Sequence, residues 1–139
     1  MKSAFIDTDV LLDTIMQRKP HYRASNAILA LCEQNLIDGF TSSLVIANIY
    51  YIIKKLANHK DALTAIAKIR SIITILDFTD KEIGESSNAG FADFEDGVQY
   101  FIAVNNQLDC IITRNIKDFK LSNIAVLAPS NYLTLYNKS

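Results

Sequence analysis

An apolar run near the amino terminus ends abruptly in two acidic residues. Asp7 and Asp9 follow directly after residues 3–6, which read Ser-Ala-Phe-Ile. Phe5 and Ile6 favour a strand that is buried on both faces, as in a parallel sheet. In open α/β sheets, ligands bind just beyond the carboxyl ends of the strands. Capping of the following helix explains one of the two carboxylates. The other indicates a functional group at the floor of a cleft.

Helices and short strands alternate along the rest of the chain. The apolar periodicity predicts helices over residues 10–16, 21–34, 44–56, 60–73, 80–89, 92–107 and from residue 129. Short strands are predicted to end near residue 41 and to cover residues 75–78, 109–113 and 125–127. A polar loop is expected over residues 114–123. This order predicts a single α/β sandwich with a mainly parallel sheet.

Composition and charge narrow the class of protein. The 139 residues are half apolar and 21% charged, with four glycines and two prolines, which is typical of one folded domain. With a net charge of −1, the protein as a whole does not attract a polyanion. Binding of a nucleic acid would therefore need a local basic patch or a bridging metal. Cys32 and Cys110 are expected to be buried, reduced thiols. The sequence shows no signal peptide and no apolar run of membrane-spanning length, so we expect a cytoplasmic protein without a membrane partner.

A second acidic group opens the helix predicted over residues 92–107. Asp93 and Asp96 are three residues apart, so their side chains share one helix face. Capping at the positive end of the helix explains one of them, whereas two acids on one face favour metal binding. Glu95 is expected on another face, in solvent.

A third polar group follows the strand predicted over residues 109–113. Thr113, Asn115 and Asp118 occupy the same topological place as Asp7, although a plain turn and a solvated loop acid explain them equally well. Together, the three groups put three or four carboxylates at one sheet edge without His or Cys. Such an all-oxygen site suits Mg²⁺ or Mn²⁺ and not zinc. Closely packed carboxylates also repel one another unless a cation neutralises them.

The ordered set of motifs resembles the PIN domain, and within it bacterial proteins of the VapC-like toxin type. The motifs are Asp7-Thr8-Asp9, then Asp93-Phe94-Glu95-Asp96, then Thr113-Arg114-Asn115 followed by Asp118-Phe119. The helix over residues 43–51 resembles one subgroup of these proteins. The resemblance covers essentially the whole chain. It implies a single PIN domain over residues 1–139, with a three-layer α/β/α sandwich around four to five short strands.

The same resemblance implies an Mg²⁺- or Mn²⁺-dependent endoribonuclease, the toxin of a toxin–antitoxin pair. Its partners would be an RNA substrate, a cognate antitoxin and a second copy of the chain. The implied catalytic acids are Asp7, Asp93, Asp96 and Asp118, of which Asp7, Asp96 and Asp118 would bind metal. The implied supporting polar residues are Asp9, Asn48, Thr113 and Asn115. Asn48 stands where many PIN domains carry a Glu, and Asp9 stands where Asn is more usual.

Basic residues and an apolar helix suggest further contacts. Arg114, Lys117 and Lys120 flank the third group and are candidates for gripping RNA phosphates, although a solvated loop face explains them equally well. The helix over residues 44–56 carries more apolar side chains than one sheet needs, which favours a homodimer interface over burial in the monomer. These apolar side chains are Ile46, Ile49, Tyr50, Ile52 and Ile53.

Two other functions fit parts of the pattern. An inactive PIN-like binding module is an alternative, because Asn48 cannot supply a negative charge. A haloacid-dehalogenase-type phosphatase also begins with Asp-x-Asp at a first strand. That motif normally has Thr or Val where this chain has Leu11, which argues against it.

Overall fold

Five short strands form one parallel sheet in the computed structural model, which describes residues 1–138. The strand order is β3-β2-β1-β4-β5, and each neighbouring pair is parallel. The prediction of a mainly parallel sheet of four to five strands is therefore confirmed. The strands are β1 (Ser3–Ile6), β2 (Asp38–Ser42), β3 (Thr74–Leu76), β4 (Cys110–Ile112) and β5 (Ala125–Leu127).

Helices connect the strands close to the predicted positions. They are α1 (Thr8–Ile15), α2 (Tyr22–Glu33), α3 (Ser43–Leu56), α4 (His59–Ile72), α5 (Asp80–Asn88), α6 (Phe94–Asn105) and α7 (Pro129–Asn137). The segment expected to be a polar loop contains a 3₁₀ turn, Ile116–Phe119. The buried ring of Phe119, 2% exposed, anchors this turn to the core, which a reading of its polar neighbours could not show. Within residues 1–138, no helix is both long and apolar enough to cross a membrane.

The direction of the crossovers produces the three layers. The connections from β1 to β2 and from β2 to β3 step toward one edge of the sheet, and the connection from β3 to β4 runs back past β1. Because such crossovers are right-handed, α1 to α4 cover one face of the sheet and α5 and α6 cover the other. The helix contacts agree, since α1 packs on α2, α3 on α4, and α5 on α6.

Nearly all residues of the neighbouring strands β1 and β4 are buried. All six residues of the segments 4–6 and 110–112 have no exposed surface. Cys32 and Cys110 are buried and not joined in a disulfide, as predicted, and burial raises the pKa of each thiol to about 12. Such thiols remain protonated and pack as small apolar side chains.

The strand order reverses at β1 and β4, and this reversal creates the crevice where ligands bind in such sheets. Ile6 lies opposite Ile112 in the parallel register. The residues that follow, Asp7 and Thr113, therefore emerge side by side at the carboxyl edge of the sheet. The backbone N–H of Asp7 continues the ladder by donating to the Ile112 carbonyl oxygen, at 3.0 Å.

Most of the apolar surface of α3 is used inside the monomer. Ile49 and Ile53 are buried, and the other residues expected at an interface, Ile46, Tyr50 and Ile52, are partly buried against the core. The apolar side chains of α3 that remain exposed are Tyr51 (66%) and Leu56 (63%). The surplus apolar surface is therefore smaller than the sequence pattern indicated.

Close packing of α5 on α6 gives a test of this fold. A Cβ added at Gly97 on α6 would clash with Ser86 Oγ, and that buried hydroxyl donates to the Phe94 carbonyl oxygen. We expect Gly97→Ala to lower the free energy of unfolding by about 1–3 kcal/mol through overpacking. Gly84→Ala on α5, where nothing lies within 4 Å, is the matched control. It should raise stability by about 0.5–1 kcal/mol. Chemical denaturation measures the free energy of unfolding of both variants. An equal change in the two would contradict the close packing of α5 on α6 at Gly97.

Candidate active site

Asp7 lies at the centre of the crevice and is held by two hydrogen bonds. Its side chain is 7% exposed. As the N-cap of α1, its Oδ1 accepts the backbone N–H of Thr8 at 2.8 Å. Its Oδ2 accepts the hydroxyl of Thr113 at 2.9 Å. Helix capping is thus part of what Asp7 does, and the Thr113 contact adds a link to β4.

The second acidic group stands at the start of α6. Asp93 is the N-cap, and its Oδ1 accepts the backbone N–H of Asp96 at 3.1 Å. Capping therefore accounts for Asp93. Asp96 is half-buried in the first turn, and no hydrogen bond among residues 1–138 engages its carboxylate.

One cavity of about 540 Å³ unites the three groups. Six carboxylates line it, from α1, α6, their N-cap positions and the 3₁₀ turn: Asp7, Asp9, Asp93, Glu95, Asp96 and Asp118. Its other lining residues are Thr8, Leu12, Arg18, Asn48, Tyr51, Ile52, Gln99 and Asn115. The topology thus brings the predicted acids to one place, although they are up to 111 residues apart in the chain.

Burial and mutual repulsion raise the pKa values of these acids. The pKa of Asp7 rises to about 6, first because of burial and second because of the charge on Asp9, while its bonds to Thr8 and Thr113 act in the opposite direction. The pKa of Asp96 rises to about 7 because of burial and the charges on Asp93, Asp7 and Asp118. At neutral pH the cavity therefore favours a bound proton or cation.

Asp9, at the cavity wall, and Thr113, behind it, each accept a backbone hydrogen bond from the loop that follows β4. Asp9 Oδ2 accepts the backbone N–H of Arg114 at 3.0 Å, whereas its Oδ1 is buried without a hydrogen bond among the described residues. Burial raises the pKa of Asp9. Thr113 is fully buried and lies outside the cavity lining. Its hydroxyl accepts the backbone N–H of Asn115 while donating to Asp7, so it orients Asp7 and does not face a ligand.

Two residues bridge the cavity from opposite sides of the sheet. Asn48 on α3 donates through Nδ2 to Oε2 of Glu95 on α6, at 3.1 Å. Glu95 is exposed, as expected, but the prediction that it points to another face is wrong, because it lines the same cavity. The helical spacing predicted its offset from Asp93 and Asp96 but not the approach of α3.

A buried ion cluster borders the cavity and was not foreseen. Asp13 on α1 is completely buried and pairs with the guanidinium groups of Arg18 and Arg114, at 2.9 and 2.6 Å. The sequence signal was present, since an acid follows three apolar residues in a short helix. An acid placed there needs a cationic partner.

The three basic residues named as candidates for contacts with RNA phosphates stand outside the lining of the acidic cavity. Arg114 directs Nε and Nη2 to Asp13 and lines a different cavity, so its cation is already paired. Lys117 and Lys120 are exposed and stand outside the lining of the acidic cavity. Sequence position alone could not reveal the Asp13 contact, because 101 residues separate Asp13 from Arg114.

The donor set fits a hard divalent cation, although the side chains do not already form a closed coordination sphere. Among residues 1–138, no group of three or more His, Cys, Asp or Glu side chains is placed to hold a metal ion as it stands. The candidate donors are carboxylate oxygens, which Mg²⁺ and Mn²⁺ prefer. The buried Oδ1 of Asp9, without a partner, adds an unused acceptor beside them.

The raised pKa values predict how stability depends on pH without divalent cations. Between pH 4 and 7 the folded protein holds protons on Asp7 and Asp96 that the unfolded chain has released, so stability falls as pH rises. In EDTA, Tm should therefore be higher at pH 5 than at pH 8. Asp96→Asn should reduce this difference and be neutral or stabilising at pH 8. Thermal melts followed by circular dichroism measure both, and a clear loss of stability in Asp96→Asn would indicate a structural role instead.

Comparison with known proteins agrees with this architecture. Ribonuclease VapC1 of Aquifex aeolicus (strain VF5) is 27% identical over 141 residues, covering 98% of this chain and 96% of that protein. A chain of DNA-bound VapBC from Salmonella typhimurium shares the fold with a TM-score of 0.70, at 17% identity, covering 93% of this chain and 99% of that chain. A chain of a toxin-antitoxin complex from Klebsiella pneumoniae gives a TM-score of 0.69 at 20% identity, covering 91% of this chain and 98% of that chain. A family model described as PIN domain matches residues 3–117. The chain therefore belongs to the PIN domain family.

Proposed function

We propose that the protein is a metal-dependent endoribonuclease that hydrolyses RNA phosphodiester bonds. The observation that carries the proposal is the single cavity at the β1–β4 switch point, lined by Asp7, Asp96 and Asp118. The similarity to Ribonuclease VapC1 supports RNA as the substrate. An RNA substrate in turn favours action in the cytoplasm.

Asp7, Asp96 and Asp118 are the residues that would hold Mg²⁺ or Mn²⁺. A divalent cation bound there supplies activation of water and neutralisation of charge on the phosphoryl group. Thr113 keeps the Asp7 carboxylate in a fixed orientation through its 2.9 Å hydrogen bond. Asp93 fixes the first turn of α6 and so places Asp96. Asn115, whose backbone N–H donates to Thr113, adds an amide to the cavity wall.

The protein is also proposed to be the toxin of a toxin–antitoxin pair. The PIN family and the likeness to a toxin-antitoxin complex support this role. An apolar groove of about 650 Å³ between the end of α1, α3 and α4 suits an amphipathic antitoxin segment. Its apolar lining includes Ile15, Met16, Ile53 and Leu56. A neighbouring reading frame that encodes a small DNA-binding protein with such a segment would support the pairing.

The nuclease assay separates this proposal from an inactive binding module. Wild-type protein should cleave single-stranded RNA in Mg²⁺ or Mn²⁺ but not in EDTA. Asp7→Asn should abolish cleavage because it removes a cavity charge. Thr113→Val, which deletes only the orienting hydroxyl, should lower the rate of RNA cleavage about 10–100-fold. Gel analysis of labelled RNA measures all three, and a folded wild-type protein without activity in either ion would favour the binding module.

We also propose a homodimer through α3 and α4. The exposed apolar side chains on these helices include Tyr51 and Leu63, the latter 48% exposed. The double variant Tyr51→Asp/Leu63→Asp should therefore be monomeric at micromolar concentration in light scattering. Leu121→Asp, at a loop residue of similar exposure (47%), is the control and should leave the dimer intact. A monomeric wild-type protein would overturn this proposal.

A further inference from the structure

We infer that Arg18 binds a phosphate of the RNA backbone in the acidic cavity, and that the buried carboxylate of Asp13 positions it for this task. The inference rests on the proposed ribonuclease function and names the residue that holds its substrate. From the sequence, Arg114, Lys117 and Lys120 were candidates for contacts with RNA phosphates, and a solvated loop face explained them equally well.

The excess of negative charge in the cavity favours a cationic residue that contacts the substrate. The lining carries six carboxylates, and Arg18 is its single cationic side chain among residues 1–138. Each RNA linkage brings a further negative charge, which these acids repel. A fixed cation at the cavity wall offsets part of this repulsion on the substrate side. Arg18 is also accessible, with 38% of its side chain exposed.

Hydrogen bonds hold Arg18 in place before any ligand binds. Its Nε donates to Asp13 Oδ1 at 2.9 Å, and its backbone N–H donates to the Asp13 carbonyl oxygen at 3.0 Å. Its own carbonyl oxygen accepts the backbone N–H groups of His21 and Tyr22, at 3.0 and 2.8 Å. Little conformational entropy is therefore lost when the guanidinium binds a ligand.

The guanidinium of Arg18 has N–H donors that are not used in the hydrogen bonds described above. An arginine has five N–H donors in a planar fork that matches phosphate oxygens. Beyond the Nε bond, Arg18 makes one long contact from Nη2 to the Asp9 carbonyl oxygen, at 3.5 Å. Its other N–H groups have no acceptor within the described part of the chain. They are therefore available to the cavity that Arg18 lines.

The two arginines that share Asp13 have different tasks. Arg114 binds Asp13 in a bidentate manner, with Nε to Oδ2 at 2.6 Å and Nη2 to Oδ1 at 3.2 Å. That pair alone neutralises the buried carboxylate, so charge compensation does not require Arg18. Arg114 is therefore a structural partner, whereas Arg18 is the partner that also reaches the cavity.

The test measures RNA binding separately from cleavage. Fluorescence anisotropy with a short single-stranded RNA is recorded in Ca²⁺, which takes the same oxygen ligands, over a series of KCl concentrations, and gels confirm that the RNA stays intact. Arg18→Gln should weaken binding about tenfold and reduce the slope of log Kd against log [KCl] by about 0.7, as expected for one lost phosphate contact. A residue that only stabilised the fold would leave this slope unchanged. Arg18→Lys should keep the slope and lose part of the affinity.

Two variants serve as controls. Arg70→Gln removes an exposed charge on α4 outside the cavity and should change Kd less than twofold. Arg114→Gln should lower Tm more than Arg18→Gln does, because it removes the bidentate partner of the buried Asp13 carboxylate. Asp13→Asn should weaken binding, and adding it to Arg18→Gln should weaken binding no further.

The outcomes distinguish this inference from the proposed function. Wild-type affinity and slope in Arg18→Gln, or equal weakening in Arg18→Gln and Arg70→Gln, would overturn the role of Arg18 while cleavage by the wild type still supported the nuclease. A wild-type protein that neither binds nor cleaves single-stranded RNA would overturn both.

Discussion

Parallel pairing of β1 with β4 is the constraint on which the rest of the site depends. It places Asp7 beside Thr113, which is 106 residues away in the chain, and gives the Asp7 carboxylate its hydroxyl donor. A one-residue slip in register would turn Thr113 to the opposite face of the sheet. The pairing resists such a slip, because residues 4–6 and 110–112 are fully buried and a shifted register would break their packing. The precision of the site therefore derives from the most tightly packed part of the core.

Three carboxylates on or next to α1 differ in the partners that offset the cost of their burial. Asp13 is compensated by two arginines. Asp7 has two hydrogen bonds but no cationic partner among residues 1–138, and its pKa rises to about 6. Asp9 Oδ2 accepts the backbone N–H of Arg114, and its buried Oδ1 has no hydrogen-bond partner in the part of the chain that the structure describes. The uncompensated charge thus increases toward the cavity, where a cation or a proton can relieve it. An arrangement that is unfavourable for stability alone is what a site for cation-dependent chemistry requires.

Local patterns predicted the elements of the fold, and long-range contacts account for what they missed. The apolar run before Asp7, the Ser42 cap of α3 and the Asp93 cap of α6 act within a few residues, so the sequence shows them directly. The pairing of Arg114 with Asp13 joins residues 101 positions apart, and the contact of Asn48 with Glu95 spans 47 positions. Such contacts depend on how helices from different crossovers meet. Helical spacing predicts which residues share a face, but it does not identify the helix that will pack against that face.

The contact between Asn48 and Glu95 also bears on the binding-module alternative. That alternative depended on the negative charge that Asn48 lacks. In the folded chain, Oε2 of Glu95 on α6 lies 3.1 Å from Nδ2 of Asn48 on α3. The amide of Asn48 is therefore in contact with a carboxylate. Glu95 is also among the charges that raise the pKa of Asp96, which places it electrostatically within the cluster. A Glu at position 48 would face Glu95 as a like charge and repel it, whereas an amide can donate to it. Asn48 and Glu95 are therefore mutually consistent, and Glu95 places a carboxylate beside the amide at position 48.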